Sequence, residues 1–418
     1  MKKRKRLLPV LLLALCSLFI VACSDDNTSN KPEDNSLYKA ESNYTLDQLE
    51  QASRIAIMTY RMPGIKGSEV EATALVFYPK TQKPKDGWRM IVWGHGTVGV
   101  GDACAPSNKP ISANFKVSLQ RLLEEGYVVV APDYEGLGTP GIHPYLNLKS
   151  EALSCIYAVN ALKAQYKEDF QGDWMSSGQS QGGQASLGVA EYAAKDATYK
   201  GTIAGAPGSD MEKIMFDVAP KALQAMERQE NKAVPPIALE QRNSIVTYAT
   251  LLAYGALSGV GLKADTPTFD YTIMFKGRSK AFASLAEGTN GDNGACLDEV
   301  RNAYKTDIVA FMMEDTSRKV MDYPGLDEDV FKTNVVIQKS LRDNQPGTKR
   351  IDNPVLVIQG TADTNVPYTI TVDLVQQLKA LGSPHVELLL VEGASHTQAI
   401  VQSTDQLISF AQKYLPSK

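Results

Sequence analysis

The chain has 418 residues, 43% of them hydrophobic and 22% charged, with a formal net charge of −4. That length supports a large core in one or two domains, and the composition is that of a globular protein. Five positive charges and no negative ones fall in the first 22 residues, which leaves the rest at −9; an acidic body argues against nucleic acid as a partner.

The N-terminus reads as a targeting segment. Lys2-Lys3-Arg4-Lys5-Arg6 is basic, and Leu7 to Ala22 is an apolar run of 16 residues, short of the ~20 that a membrane-spanning helix needs. Ile20-Val21-Ala22-Cys23 resembles a bacterial lipobox. Processing there would cut before Cys23 and acylate its thiol; the alternative is a plain secretory signal with a chance cysteine. Residues 1–22 are therefore expected to be a lipoprotein signal peptide. Residues 23–36, rich in Asn, Ser, Asp, Lys and Pro, are expected to be a flexible tether. The protein would then sit in the cell envelope, anchored to a membrane through its N-terminal lipid, since each buried methylene adds ~0.8 kcal/mol. Ser24-Asp25-Asp26 is compatible with the outer membrane, on its periplasmic or its surface side.

After the tether, Arg54 to Arg61 and Val70 to Tyr78 are β-rich runs separated by Pro63-Gly64 and Gly67, an antiparallel pair at a sheet edge. Met90 to Trp93 is a short buried strand running into Gly94-His95-Gly96-Thr97. Phe115 to Glu125 is a helix closed by Gly126, and Tyr127 to Ala131 a second buried strand. A glycine-rich loop, Tyr134 to Tyr145, leads to a helix over Ser150 to Tyr166 with Ser150 as its cap. A strand over Trp174 to Ser177, a helix over Gln181 to Ala194 and a strand over Gly201 to Ala206 come next. Short apolar strands alternating with helices specify an α/β fold with a mostly parallel sheet covered by helices on both faces.

The alternation breaks at Gly208 and resumes at Pro354 to Gln359, Thr369 to Leu381, Val386 to Val391 and Thr397 to Tyr414. The 145 residues between read as an inserted, mainly helical cap, with helices over Met211 to Glu227, Pro236 to Leu262 and Ser279 to Leu285. The domain plan is thus a core at 37–207 and 353–418 interrupted by a cap at 208–352. Ile245 to Leu262 is strongly apolar: core packing, a substrate-facing cap wall or a membrane span would each explain it. Gly255, Gly259 and Gly261 and its mid-chain position oppose the last.

Gly178-Gln179-Ser180-Gln181-Gly182 matches G-x-S-x-G between a strand and a helix. There the turn lifts a serine hydroxyl above the sheet over a helix N-terminus. Alone the motif is weak; the acid and the histidine that come after it in the chain, in that order, give it weight. Ser180 is the candidate nucleophile. The orienting acid should lie just past a late strand, and Asp363 does, while Asp352 precedes that strand and Asp373 lies in a helix. The base should come one strand later. Of the chain's four histidines, His385 precedes its strand and His95 and His143 precede the motif, which leaves His396. Its imidazole would take the Ser180 proton and return it to the leaving alkoxide. The oxyanion hole would combine the Gln181 N–H with that of Thr97 or, alternatively, Gly96. His95 reads as a residue that holds this loop.

Of the five cysteines, Cys104, Cys155 and Cys296 remain after Cys16 leaves with the signal and Cys23 is lipidated. Cys155 lies in a helical apolar pattern and reads as a buried free thiol. Cys104 and Cys296 sit beside loop signals and are either a disulfide or free.

Trp93-Gly94-His95-Gly96-Thr97, Cys104-Ala105-Pro106-Ser107, the run from Asp133 to Gly141, His143-Pro144-Tyr145 and Gly178 to Gly183 together resemble the secretory lipase family, of the fungal lipase A type with bacterial relatives. The resemblance runs from about Arg54 to the end. It implies an α/β-hydrolase fold with a helical lid before the acid, esterase or lipase activity through a Ser-Asp-His triad and an acyl-enzyme, and a Cys104–Cys296 pairing that ties the oxyanion loop to the lid. The Asp133 to Tyr145 loop reads as a structural floor. The cap diverges from the family, so acyl-length preference does not carry over. A polysaccharide acyl esterase or a serine peptidase would use the same triad, and a non-catalytic surface binder on this scaffold is the remaining alternative. The expected partner is a small-molecule or lipid ester; no metal spacing and no nucleotide-binding loop is present, and the hydrolysis needs no cofactor.

Overall fold

The structure, a computed structural model, describes residues 36–417; the expected signal peptide, Cys23 and nearly all of the tether lie outside them. Nine strands form one sheet: β1 (Tyr38–Asn43), β2 (Ala52–Pro63), β3 (Glu69–Pro79), β4 (Trp88–Gly94), β5 (Val128–Pro132), β6 (Phe170–Gln179), β7 (Tyr199–Gly205), β8 (Val355–Gly360) and β9 (Val386–Val391). Their spatial order is β1-β2-β3-β5-β4-β6-β7-β8-β9. The first three strands pair antiparallel with one another and with β5, and every pair from β5 to β9 is parallel. The parallel centre is largely apolar, because both of its faces are covered. All residues of β5 and β8 are buried, whereas β2 alternates buried and half-buried positions along most of its length. β9 is the edge strand, so its apolar run is only partly covered.

Helices α1 (Ala113–Glu124), α2 (Leu148–Gln165) and α3 (Gln181–Tyr192) connect the central strands. α2 starts two residues before the expected Ser150. Asn147 caps it instead, its side chain accepting from Ser150 N–H, and the Ser150 hydroxyl bonds to Glu135. β1 was not legible in the sequence; it is polar and pairs only at the edge, with β2.

Every regular element between β7 and β8 is helical and none adds a strand to the sheet. Here lie α4 (Met211–Lys213), a π-turn at Ile214–Val218, α5 (Ala219–Glu230), α6 (Asn243–Asp265), α7 (Lys280–Ala283), α8 (Leu297–Glu314), α9 (Glu328–Thr333) and α10 (Val335–Asp343). The expected helix from Pro236 begins only at Asn243, after a single 3-10 turn at Leu239–Gln241. α8, α9 and α10 escaped the sequence reading because their buried positions are interspersed with charge. The insertion has its own core, with Ile245, Leu252 and Ala256 of α6 packed among Tyr271, Tyr304 and Ile308. α6 is long and apolar enough to span a membrane, but 72% of its most apolar window is buried inside the protein. It therefore packs inside the protein, and Leu251, Tyr254 and Ser258 along it line the cavity at Ser180.

Past the insertion, α11 (Tyr368–Ala380) covers the sheet, and the expected last helix is broken at Ser403 into α12 (Gln398–Gln402) and α13 (Thr404–Tyr414). Insertion and sheet fall within one compact unit.

Candidate active site

Ser180 stands between the last residue of β6 and the first of α3, at φ 61° and ψ −119°. A non-glycine residue held there costs about 1–3 kcal/mol, a strain that persists only where the surroundings fix it. Ser180 N–H donates to Gly205 O at 2.8 Å, and Ser180 O accepts from Gln184 N–H at 3.0 Å and Gly208 N–H at 3.3 Å. Gly178 and Gly182 are needed for approach: a Cβ on Gly182 would strike the backbone of Gly94, and one on Gly178 the backbone of Gly182. Strands β4 and β6 and helix α3 thereby meet backbone to backbone under the serine.

The loops after β8 and β9 deliver the other two groups. His396 Nε2 lies 2.8 Å from Ser180 Oγ, and its Nδ1 lies 2.7 Å from Asp363 Oδ2. The carboxylate fixes the ring with Nδ1 as donor and leaves Nε2 to accept the serine proton. Asp363 is itself immobilised. Its Oδ1 accepts from Asn365 N–H at 2.8 Å and Val366 N–H at 3.0 Å, and its Oδ2 accepts from Gln359 Nε2 at 2.9 Å. Gln359, fully buried at the end of β8, is anchored in turn by the Thr371 hydroxyl at 2.6 Å. Gln179 Nε2 donates to His396 O at 3.3 Å. Sequence reasoning passed over Gln359 and Gln179. A glutamine closing the apolar run Val355 to Ile358 was the available signal.

Gln181 is the first residue of α3, so its N–H has no partner one turn back. Gln181 and Thr97 line a cavity together with Ser180 and His396. Thr97 lines the cavity and Gly96 does not; a Cβ at Gly96 would press on Gln179. The Thr97 hydroxyl is 2.7 Å from the Tyr145 hydroxyl. His95 places Nδ1 2.7 Å from Gly96 O and Nε2 3.2 Å from Asp133 O, which holds the loop, and burial lowers its pKa.

The cavity holds about 550 Å³, within the ~300–1,000 Å³ usual for small-molecule sites. Apolar walls come from the insertion, notably Met215, Leu251, Tyr254 and Met274, while Asp265 and Arg342 bring charge. Cys104 of the loop after β4 and Cys296 at the start of α8 form a disulfide, with Cα atoms 5.5 Å apart. It is flanked by Leu297 N–H donating to Val98 O at 2.9 Å. Cys155 is free and buried. Among the described residues no cluster of three or more His, Cys, Asp or Glu could hold a metal ion.

The fold recurs in solved structures. A hydrolase from Legionella pneumophila, described as putative, superposes with a TM-score of 0.64 at 18% identity, covering 86% of this chain and 88% of that one. The rice cell wall degrading esterase LipA of Xanthomonas oryzae gives 0.62 at 18% identity, covering 90% and 97%. Lipase A of Candida antarctica in its closed state gives 0.59 at 15%, covering 86% and 77%. This chain has the α/β-hydrolase fold. At such identities the likeness establishes the fold alone. The model of the prolyl oligopeptidase family matches residues 301–418, the part of the α/β-hydrolase chain that carries Asp363 and His396. No curated protein sequence matches significantly.

Proposed function

We propose that this α/β-hydrolase is a serine carboxylic ester hydrolase of the lipase and esterase type, close to the secretory lipases. The observation that carries the reading is the unbroken relay from Ser180 through His396 to Asp363 at the mouth of a largely apolar cavity. Ser180 Oγ attacks the ester carbonyl while His396 Nε2 takes its proton. The Gln181 and Thr97 N–H groups receive the oxyanion. The imidazolium returns the proton to the leaving alkoxide, and water then releases the acyl group from Ser180 by the same route. The acyl chain lies against the insertion, where each buried methylene adds ~0.8 kcal/mol.

The test is turnover of p-nitrophenyl esters from acetyl to long-chain acyl. Ser180→Ala should lower kcat by about 10⁴-fold or more with the circular dichroism spectrum unchanged, and mass spectrometry should find the acyl group on the peptide carrying Ser180. Retained turnover in Ser180→Ala defeats the proposal.

Two specific observations favour alternatives. The prolyl oligopeptidase match supports a serine peptidase, and the likeness to a cell wall degrading esterase supports acylated polysaccharide as substrate. Peptide amides and acetylated glycans in the same assay separate them. The basic, apolar and lipobox pattern ending at Cys23 supports a lipid-anchored protein of the cell envelope. Incorporation of labelled fatty acid, lost in Cys23→Ser, tests it.

A further inference from the structure

One carboxyl group lies beneath the site without a part in the relay. Glu151 of α2 is fully buried. Its Oε1 accepts two hydrogen bonds, from the Gln181 side-chain Nε2 at 2.7 Å and from Leu146 N–H at 2.8 Å. Its Oε2 is buried with no hydrogen-bond partner. Each arm ends at one half of the oxyanion hole. Gln181 carries one donor in its own backbone. Leu146 is next in the chain to Tyr145, whose hydroxyl bonds to that of Thr97, the residue carrying the other donor. Leu146 has φ 60°, a left-handed conformation that a leucine keeps only when its amide is held.

We propose that Glu151 is a positioning residue of the oxyanion hole, one carboxyl oxygen bracing Gln181 directly and Thr97 through Leu146 and Tyr145. The inference rests on the hydrolase reading above. Oxyanion donors must sit at 2.7–3.1 Å from the developing charge, roughly, and a shared anchor sets their separation.

The burial of Glu151 favours a neutral carboxyl. An ionised carboxylate with one oxygen buried and unpartnered is costly, and burial pushes the Glu151 pKa up to about 8. The proton then sits on Oε2 and the carbonyl oxygen accepts both bonds. The second hydrogen of the Gln181 amide points to His143 Nε2, 3.2 Å away, and His143 Nδ1 donates to Glu135 O at 2.9 Å. That pattern needs a neutral imidazole, and burial lowers the His143 pKa to about 3. The other titratable groups facing Glu151 are Tyr134 and Tyr145 across from it and Cys155 one turn along α2, all pushed up by burial. They stay uncharged, and no cation is paired with Glu151 among the described residues. Deprotonation above the Glu151 pKa would therefore place an uncompensated negative charge beneath donors that must receive an oxyanion.

The experiment measures kcat and KM for p-nitrophenyl butyrate across pH, beginning with wild type and Ser180→Ala. Absence of Ser180-dependent turnover defeats the hydrolase reading and this inference with it. Given that turnover, Glu151→Ala should lower kcat about 10²-fold, the lower end of losing one oxyanion donor, with KM nearly unchanged. Glu151→Gln, which keeps the accepting oxygen, should recover most of that loss and remove the fall in kcat above pH 8. Gln181→Met keeps the backbone donor but cuts the brace, and decides the matter if Glu151→Ala does not fold: a kcat loss at constant KM supports the brace. Wild-type kcat in either folded variant, or an alkaline limb unchanged in Glu151→Gln, overturns it.

Discussion

The sheet and the helical insertion meet at one cavity but are built by different rules. In the sheet, the nucleophile turn depends on backbone contacts among Gly94, Gly178 and Gly182, where any side chain would collide. In the insertion, α6, α8 and the segments around them pack mainly through side chains such as Leu252, Tyr271 and Tyr304, with close backbone approaches only locally, as at Gly261 and Gly294. Backbone-to-backbone contact tolerates no substitution, whereas side-chain packing accepts volume-conserving change. Chemistry is therefore held by the part of the molecule that cannot drift, and substrate fit by the part that can.

If that division is right, the largest effect after loss of the nucleophile should come from the sheet. Asp363→Asn keeps the shape but turns one acceptor into a donor facing Gln359 Nε2, His396 Nδ1 or the Asn365 and Val366 amides. The imidazole would then be held in the wrong tautomer. kcat should fall by about 10³–10⁴-fold for every ester tried, with little change in acyl preference. A change confined to some acyl lengths would break the comparison.

The insertion should give the opposite signature. Ser258 of α6 lines the cavity, and Ser258→Phe would fill part of it. Long acyl esters should lose roughly 10- to 100-fold in kcat/KM relative to acetyl, with turnover of the short ester kept. Uniform loss across the series would show that the insertion shapes the chemistry as well.

Legibility in the sequence respected the same boundary. The short strands, the elbow and the order Ser180, Asp363, His396 could be read because most of the parallel strands hold short apolar runs and each site residue comes after the end of a strand. α8 and α10 could not, because helices of a small second core need only a narrow apolar stripe: α10 buries Ile337 alone. Gln359 and Glu151 were equally opaque. A buried polar side chain declares its role only through partners brought from elsewhere in the chain, here Thr371 and Gln181.

The Cys104–Cys296 disulfide crosses the boundary and spans 192 residues of sequence. Closing a loop of that length contributes at most about 5 kcal/mol in the chain-entropy model. The replacement of both cysteines by alanine should lower Tm by roughly 5–10 °C. Because the bond joins the insertion to the loop bearing Thr97, kcat should also fall a few-fold. A lower Tm with kcat intact would mean that the backbone hydrogen bonds from Leu297 to Val98 and from Asp102 to Asp292 hold the loop without the disulfide.

The smallest effect concerns stability and has a sign fixed by linkage. Glu151 is raised from 4.5 to about 8 in the folded protein. Below the unfolded value both states carry the proton. As pH rises past it the unfolded chain releases the proton while the folded chain keeps it, so folded stability falls until pH reaches the folded value, and the loss then persists. Glu151→Gln has no proton to release. Its Tm should exceed that of wild type, with a gap that widens from pH 5 to pH 8 and reflects at most a few kcal/mol. A buried acid carried at such a cost beside Gln181 is consistent with the bracing role, and the Tm gap measures that cost. A gap that stays flat with pH would mean the carboxyl is already ionised below pH 5, and the electrostatic part of the oxyanion brace would fail with it.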